Sequence, residues 1–383
     1  MPIKQVSPAI EKLAEYVKNI TDIIHINANV KDGMSIKLAM KSQANAIGLC
    51  RSEDIFTAAI LPLGNKFGLS LDELELEAEG AAIGYANAIQ TVCSIPRMHA
   101  FIKAILDPVG LQSAKDEFVS TLGEKISSAF WHSDMYLFDP PKTTPFTYRL
   151  SDLELPQLQL EKNDFITPEY IKTSYILQAR ALFKAIQHTK FPMPLNVLIP
   201  TVRSADEVAE LKQAIAGAAK EEGFVDATGK PRYRFGAMIE TKEAVQPRTA
   251  AAIAKLCDFV SFGTNDLTKE LTDLPRNDID DDVKRRCHEW MVAHHCERMG
   301  DSPFDVLVPP VKQAMQAAVK AMRRINPTIE ISCCGRQVAN NIESIESCID
   351  MGINAVSVPP QDVAAAHIIA AHHAANKQLT VRR

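Results

Sequence analysis

In Phe259-Val260-Ser261-Phe262-Gly263-Thr264-Asn265-Asp266-Leu267-Thr268 an apolar, β-prone run breaks into Gly-Thr-Asn-Asp. A buried strand ending there delivers an amide and a carboxylate, Asn265 and Asp266, at its C-terminal tip. Upstream, Tyr233 to Glu240 has the same form and ends in Met238-Ile239-Glu240. Two successive buried strands that each finish in a carboxylate are how a parallel α/β barrel builds a divalent-metal site. Strand ends elsewhere add Asn27 and Asn29, Arg51, Arg149, Arg203 and Cys334. Guanidinium forks grip phosphate or carboxylate with two bonds, and a metal neutralises further oxygens of the same ligand. Singly, each residue has a bland role: an arginine in a surface ion pair, an acid capping a helix, a cysteine filling the core. Their convergence on one rim points to an enzyme acting on a small anion.

A rim needs a frame to carry it. Strand-like runs recur with helical stretches between them: Asp22–Val30, Ala46–Glu53, Phe146–Leu150, Leu195–Pro200, Tyr233–Glu240, Asp258–Asp266, Thr328–Gly335 and Ala355–Val358. Helices are expected over Asp32–Asn45, about Leu71–Phe130, Pro168–His188 and Gln361–Asn376. That strand count closes an α/β (β/α)8 TIM barrel, with an open doubly wound sheet as the alternative. The expected organisation is an N-terminal helix over residues 1–21 and one barrel over 22–383, with a helical insertion at about 57–145.

Composition limits the partners. A net charge of −5 argues against a nucleic-acid surface, and no apolar run is long enough to span a bilayer. Met1 to Ile20 alternates charge with short apolar groups, unlike a secretory leader. Eight scattered cysteines without CxxC pairs read as cytosolic thiols, so the expected location is cytoplasmic. Cys287, His288, His294, His295 and Cys296 lie on an expected helix at spacings unsuited to a tetrahedral zinc site. His367, His372 and His373 sit on the last helix, facing solvent or packed on the barrel. Cys333 points the opposite way from Cys334 along its strand, so one of the two faces the rim cavity.

Gly48-Leu49-Cys50-Arg51-Ser52-Glu53, Tyr148-Arg149-Leu150, Met238-Ile239-Glu240, Ser261 to Thr268, Cys334-Gly335 and Gly352 to Pro360 follow one another in a telling order. In these segments the chain resembles the C-terminal barrel of phosphoenolpyruvate (PEP)-utilising phosphotransferases: pyruvate phosphate dikinase, PEP synthase and enzyme I of the sugar phosphotransferase system. The resemblance implies that Glu240 and Asp266 hold a catalytic Mg²⁺, or Mn²⁺, and that Asn265 contacts phosphate. It implies that Arg51 and Arg149 grip the phosphoryl and enolate ends of the substrate, with Glu240 at its edge. It implies that Cys334 gives a proton to C3 of enolpyruvate or takes one from pyruvate. It also implies a PEP/pyruvate substrate and a homodimer.

Departures accompany the matches. Arg336 follows Cys334-Gly335 where the family has an acid, and Lys162 to Tyr170 stands where it has an arginine-bearing stretch. None of the ten histidines has a phosphorylatable context, so a phosphohistidine domain is expected in trans. Arg336 is positioned to favour the Cys334 thiolate by proximity of charge. Three readings stand: a PEP/pyruvate phosphotransferase barrel, a stand-alone Mg-enolate lyase or aldolase-type enzyme on a pyruvate-like acid, and a PEP-binding barrel without turnover.

Overall fold

The computed structural model describes residues 23–53, 55–56, 59, 105–110, 112–131, 144–152, 168–188, 193–275 and 280–381. Within them, parallel strands β1 (His25–Val30), β2 (Ile47–Arg51), β3 (Phe146–Arg149), β4 (Leu195–Ile199), β5 (Tyr233–Ile239), β6 (Phe259–Gly263), β7 (Glu330–Cys334) and β8 (Ala355–Val358) pair in sequence order. β8 returns to β1, so the sheet closes into an eight-stranded barrel. The expected helix over 1–21 lies outside the described residues, as does most of the expected insertion at about 57–145.

Helices α1 (Gly33–Lys41), α2 (Gln112–Trp131), α3 (Pro168–His188), α4 (Ala205–Glu221), α5 (Pro247–Ala254), α6 (Thr264–Thr272), α7 (Asp281–Ala293), α8 (Pro309–Ile325), α9 (Arg336–Asn340), α10 (Ile342–Asp350) and α11 (Val363–Val381) surround the barrel, with a 3-10 turn at Pro360–Asp362. Several starts are encoded by side chains that take up orphan amides of the first turn. Asp32 and Ser35 form a reciprocal capping box at α1, Ser204 accepts from Glu207 N–H at α4, and Asn341 accepts from Ser344 N–H at α10. Within the insertion, α2 docks on the barrel through aromatic edges: Phe130 meets Phe146 of β3 with ring centroids 5.6 Å apart.

Alternation along the strands divides the barrel into two surfaces. Ile26, Ala28, Tyr148, Val197, Ile239, Val260, Phe262, Ile331, Cys333, Val356 and Val358 face outward into one continuous apolar layer under the helices. Facing inward, Leu49, Leu198, Met238, Phe259 and Cys334 form a separate cluster inside the barrel. As expected, Cys333 and Cys334 take opposite sides.

One strand breaks the alternation. Ala28 pairs with Ile47 and the next residue, Asn29, pairs with Leu49, so Gly48 is an extra residue in β2. The same residue is skipped against β3, where Ile47 pairs with Phe146 and Cys50 with Tyr148. A Cβ on Gly48 would lie 1.8 Å from Ser357 Oγ, so this bulge needs glycine. Its consequence is parity: Ile47 and Cys50 pack in the outer layer, while Leu49 lies inside and Arg51 emerges at the rim above it.

Candidate functional site

β6 ends sooner than its sequence suggests. The strand stops at Gly263, and Thr264, Asn265 and Asp266 form the first turn of α6 rather than a strand tip. The apolar run breaks at Gly263-Thr264, and the backbone turns helical there rather than continuing as strand to Asp266. No side chain caps α6, so its first N–H groups face the rim beside Asn265. Asn265 is buried, and its Oδ1 accepts from Arg336 N–H at 3.0 Å, tying α6 to α9.

Glu240, one residue beyond β5, is 1 % exposed. Its two oxygens have different surroundings. Oε1 accepts from Thr201 N–H at 2.7 Å, whereas Oε2 is buried with no hydrogen-bond partner. A Cβ on Gly263 would sit 2.1 Å from that Oε2, so glycine at this position makes room for the carboxylate. Burial, then the charges of Asp266 and Asp152, push Glu240 up to about 7, against the lowering pulls of Arg149 and the Thr201 amide. A buried carboxylate with an orphan oxygen and a second carboxylate in electrostatic reach is a donor set suited to a hard divalent cation. Among the described residues no cluster of three or more metal-ligating side chains forms. The two carboxylates would therefore leave the remaining positions of a cation to water and ligand.

Arg149 closes β3 and is paired with Glu53, which follows β2. Its Nε is buried without a partner, and its Nη1 lies 3.9 Å from Met238 Sδ. Arg51, at the end of β2, is exposed and acts electrostatically on Cys334. Cys334 ends β7 and is 5 % exposed. Burial and the Glu240 charge push its thiol up to about 11, opposed by Arg149, Arg51 and a hydrogen bond with Ser261. Near neutrality Cys334 therefore carries its proton.

Arg336 does not have the role expected of it. Its side chain turns to Asp305, with Nε 2.8 Å from Oδ1, and the groups that shift Cys334 do not include it. The thiol is raised, not lowered, because desolvation outweighs the arginines. Arg203 lies in the loop before α4, beyond the end of β4, where its N–H donates to Glu207. Among the histidines noted in the sequence, His367 is buried and bonds Gln43 O, and His294 stacks on Trp290.

Thr201 was not legible in the sequence. It adopts a left-handed backbone, φ 48°, unusual for a β-branched residue, and so aims its N–H at Glu240. Glu53 was visible in the block around Arg51, but its pairing with Arg149 needs the β2–β3 contact.

The protein-family model "PEP-utilising enzyme, PEP-binding domain" matches residues 167–375, and the chain belongs to that family. The match spans Glu240, Asn265, Asp266 and Cys334. A pyruvate, phosphate dikinase of Treponema pallidum is 24% identical over 90% of this chain and 38% of its own length. Another from Entamoeba histolytica is 27% identical over 91% of this chain and 39% of its own length. The chain thus spans about two-fifths of the length of these curated relatives. Among the described residues, no helix is long and apolar enough to cross a membrane.

Proposed function

We propose that this barrel binds PEP and pyruvate and interconverts them through an enolate, with a phosphohistidine domain supplied in trans as phosphoryl donor or acceptor. The observation that carries the reading is the convergence of Glu240, Arg149 and the protonated Cys334 at one end of a barrel whose family is PEP-binding. Arg51 and Arg149 hold the anionic ends of the substrate, Asn265 and the uncapped start of α6 receive its phosphate, and Cys334 exchanges a proton with C3. Glu240 and Asp266 would hold Mg²⁺ or Mn²⁺, which would supply positive charge against the enolate as it forms. Thr201 fixes Glu240 so that its free oxygen stays turned toward the ligand. Burial of Cys334 keeps bulk water from quenching the enolate at the wrong face. The reading further places the protein in the cytoplasm as a homodimer; a monomer by light scattering at micromolar concentration would remove the second part.

Enolisation of pyruvate is the half-reaction that needs no phosphoryl carrier. The wild-type protein is expected to exchange pyruvate methyl protons with deuterated water, read by proton NMR, with Mg²⁺ present and with or without inorganic phosphate. Cys334→Ala should slow exchange by roughly a hundredfold or more, since a positioned acid–base group contributes at that scale. Calorimetry with Mg²⁺ and oxalate, an enolpyruvate mimic, should show tight ternary binding that Asp266→Ala weakens. Binding of oxalate without any metal-dependent exchange would leave a binding barrel without turnover.

A further inference from the structure

A thiol that gives up a proton must recover it, and Cys334 is nearly closed to bulk water. Its surroundings inside the barrel are polar on one side. Cys334 pairs in register with Ser357 of β8, and Ser357 pairs with Asn27 of β1. On three adjacent strands these residues stand at one level. Asn29 lies one pleat nearer the rim and donates from Nδ2 to Ser357 O at 3.0 Å. Ser357 and Asn27 are 2 % and 7 % exposed, and Asn29 is half-buried.

All three side chains keep an unsatisfied oxygen. Ser357 Oγ, Asn27 Oδ1 and Asn29 Oδ1 are buried and have no hydrogen-bond partner. A buried polar atom left unpaired is destabilising, so three along one strip call for an occupant that can bond them all. Water does this: buried waters form about three bonds each to groups of this kind. Gly48 belongs to the same arrangement, because any side chain there would strike Ser357 Oγ and Asn27.

We propose that Asn29, Asn27 and Ser357 hold a short file of ordered water leading from the rim to Cys334, and that this file exchanges the thiol proton with solvent. The inference rests on Cys334 being the acid–base group of the proposed reaction. In the exchange direction, the thiol first passes its proton to a water of the file. The resulting thiolate takes a proton from C3 of pyruvate as S–H forms again, and the C3–H electron pair passes into the enolate. The sulfur-bound hydrogen then leaves to a file water while a water deuteron takes its place on sulfur. The S–D group returns deuterium to C3. Protons and electrons balance with no oxidant or reductant. Asn27, Asn29 and Ser357 are positioning residues, acting on the substrate through water and Cys334.

The test joins kinetics to a crystal structure of the full chain. Ser357→Ala and Asn27→Ala should each slow Mg²⁺-dependent methyl exchange by roughly tenfold, a fraction of the whole acid–base contribution. Oxalate affinity should change by less than about twofold, since the proposal gives both residues a role on the water file and none in holding the ligand. The crystal structure should show water bonded to Ser357 Oγ and Asn27 Oδ1, and Ser357→Ala should lose it. Unchanged exchange in both variants, or a dry strip in the wild type, overturns the file while leaving the enolisation reading standing. Equal losses of exchange and oxalate affinity also overturn it, because they mark a distorted site. A wild type that binds oxalate yet never exchanges the methyl protons condemns the enolisation reading, and the relay falls with it.

Discussion

The two faces of this barrel sheet obey different rules. Its outward face, from Ile26 through Phe262 to Val358, is apolar without interruption and is buried under the helices. Its inward face mixes a small apolar cluster with Asn27, Asn29, Asn196, Glu240 and Ser357, each carrying a buried oxygen that lacks a partner. Outer-face residues stabilise by removing apolar surface from water, at about 25 cal/mol per Å², and many side chains meet that demand. Inner-face residues lose stability through desolvation and unsatisfied bonds. Such groups belong where a ligand, a metal or water completes them.

Substitutions that set one face against the other test this contrast. Phe262→Ala, on the outer face, should lower the unfolding free energy by roughly 3–5 kcal/mol in denaturant titration, because it leaves a cavity in close-packed surroundings. Ser357→Ala, on the inner face, should cost less than about 1 kcal/mol by the same measurement, since its hydroxyl has no protein hydrogen-bond partner to lose. A large loss at Ser357 would mean that the inner face is packed for stability after all.

Glu240 sharpens the comparison through pH. Its folded value of about 7 lies above the ordinary 4.5, so between those values the folded protein holds a proton that the unfolded chain has released. Stability of the cation-free protein should therefore be fullest below about pH 4.5 as far as this group is concerned. It should decline as pH rises toward about 7. Glu240→Gln should flatten that decline and raise stability above neutrality by roughly 1–3 kcal/mol, read from melting curves across pH. An unchanged slope would show that Glu240 is not desolvated in solution. The smallest effect is expected at Arg336, whose guanidinium is engaged by Asp305. Arg336→Ala should alter pyruvate exchange by less than about threefold; a loss near that of Cys334→Ala would restore it to the chemistry.

Much of this was legible before folding. Runs such as Leu195–Ile199 and Phe259–Gly263 are buried throughout and mostly apolar because both faces of a parallel strand are covered, and strand-like runs separated by helical stretches marked all eight strands. Strand ends also marked Arg51, Arg149, Glu240 and Cys334 as neighbours on one rim, because closure of the barrel brings every strand end to the same level. Bends in the backbone were less legible. Gly48 reads as an ordinary strand residue, yet its bulge decides which side Arg51 takes. Thr264 reads as strand, yet helix α6 begins there and carries Asn265 and Asp266.

Residue types and their order determined the barrel, its rim and the kinds of group the rim presents, since these follow from local periodicity and from closure. Only the tertiary structure decided how those groups are charged and paired. Glu53 meets Arg149, Thr201 takes one oxygen of Glu240, Asp305 draws Arg336 away, and burial keeps the proton on Cys334. Desolvation and ion pairing depend on distances between segments far apart in the chain. Those distances exist only once the barrel has closed.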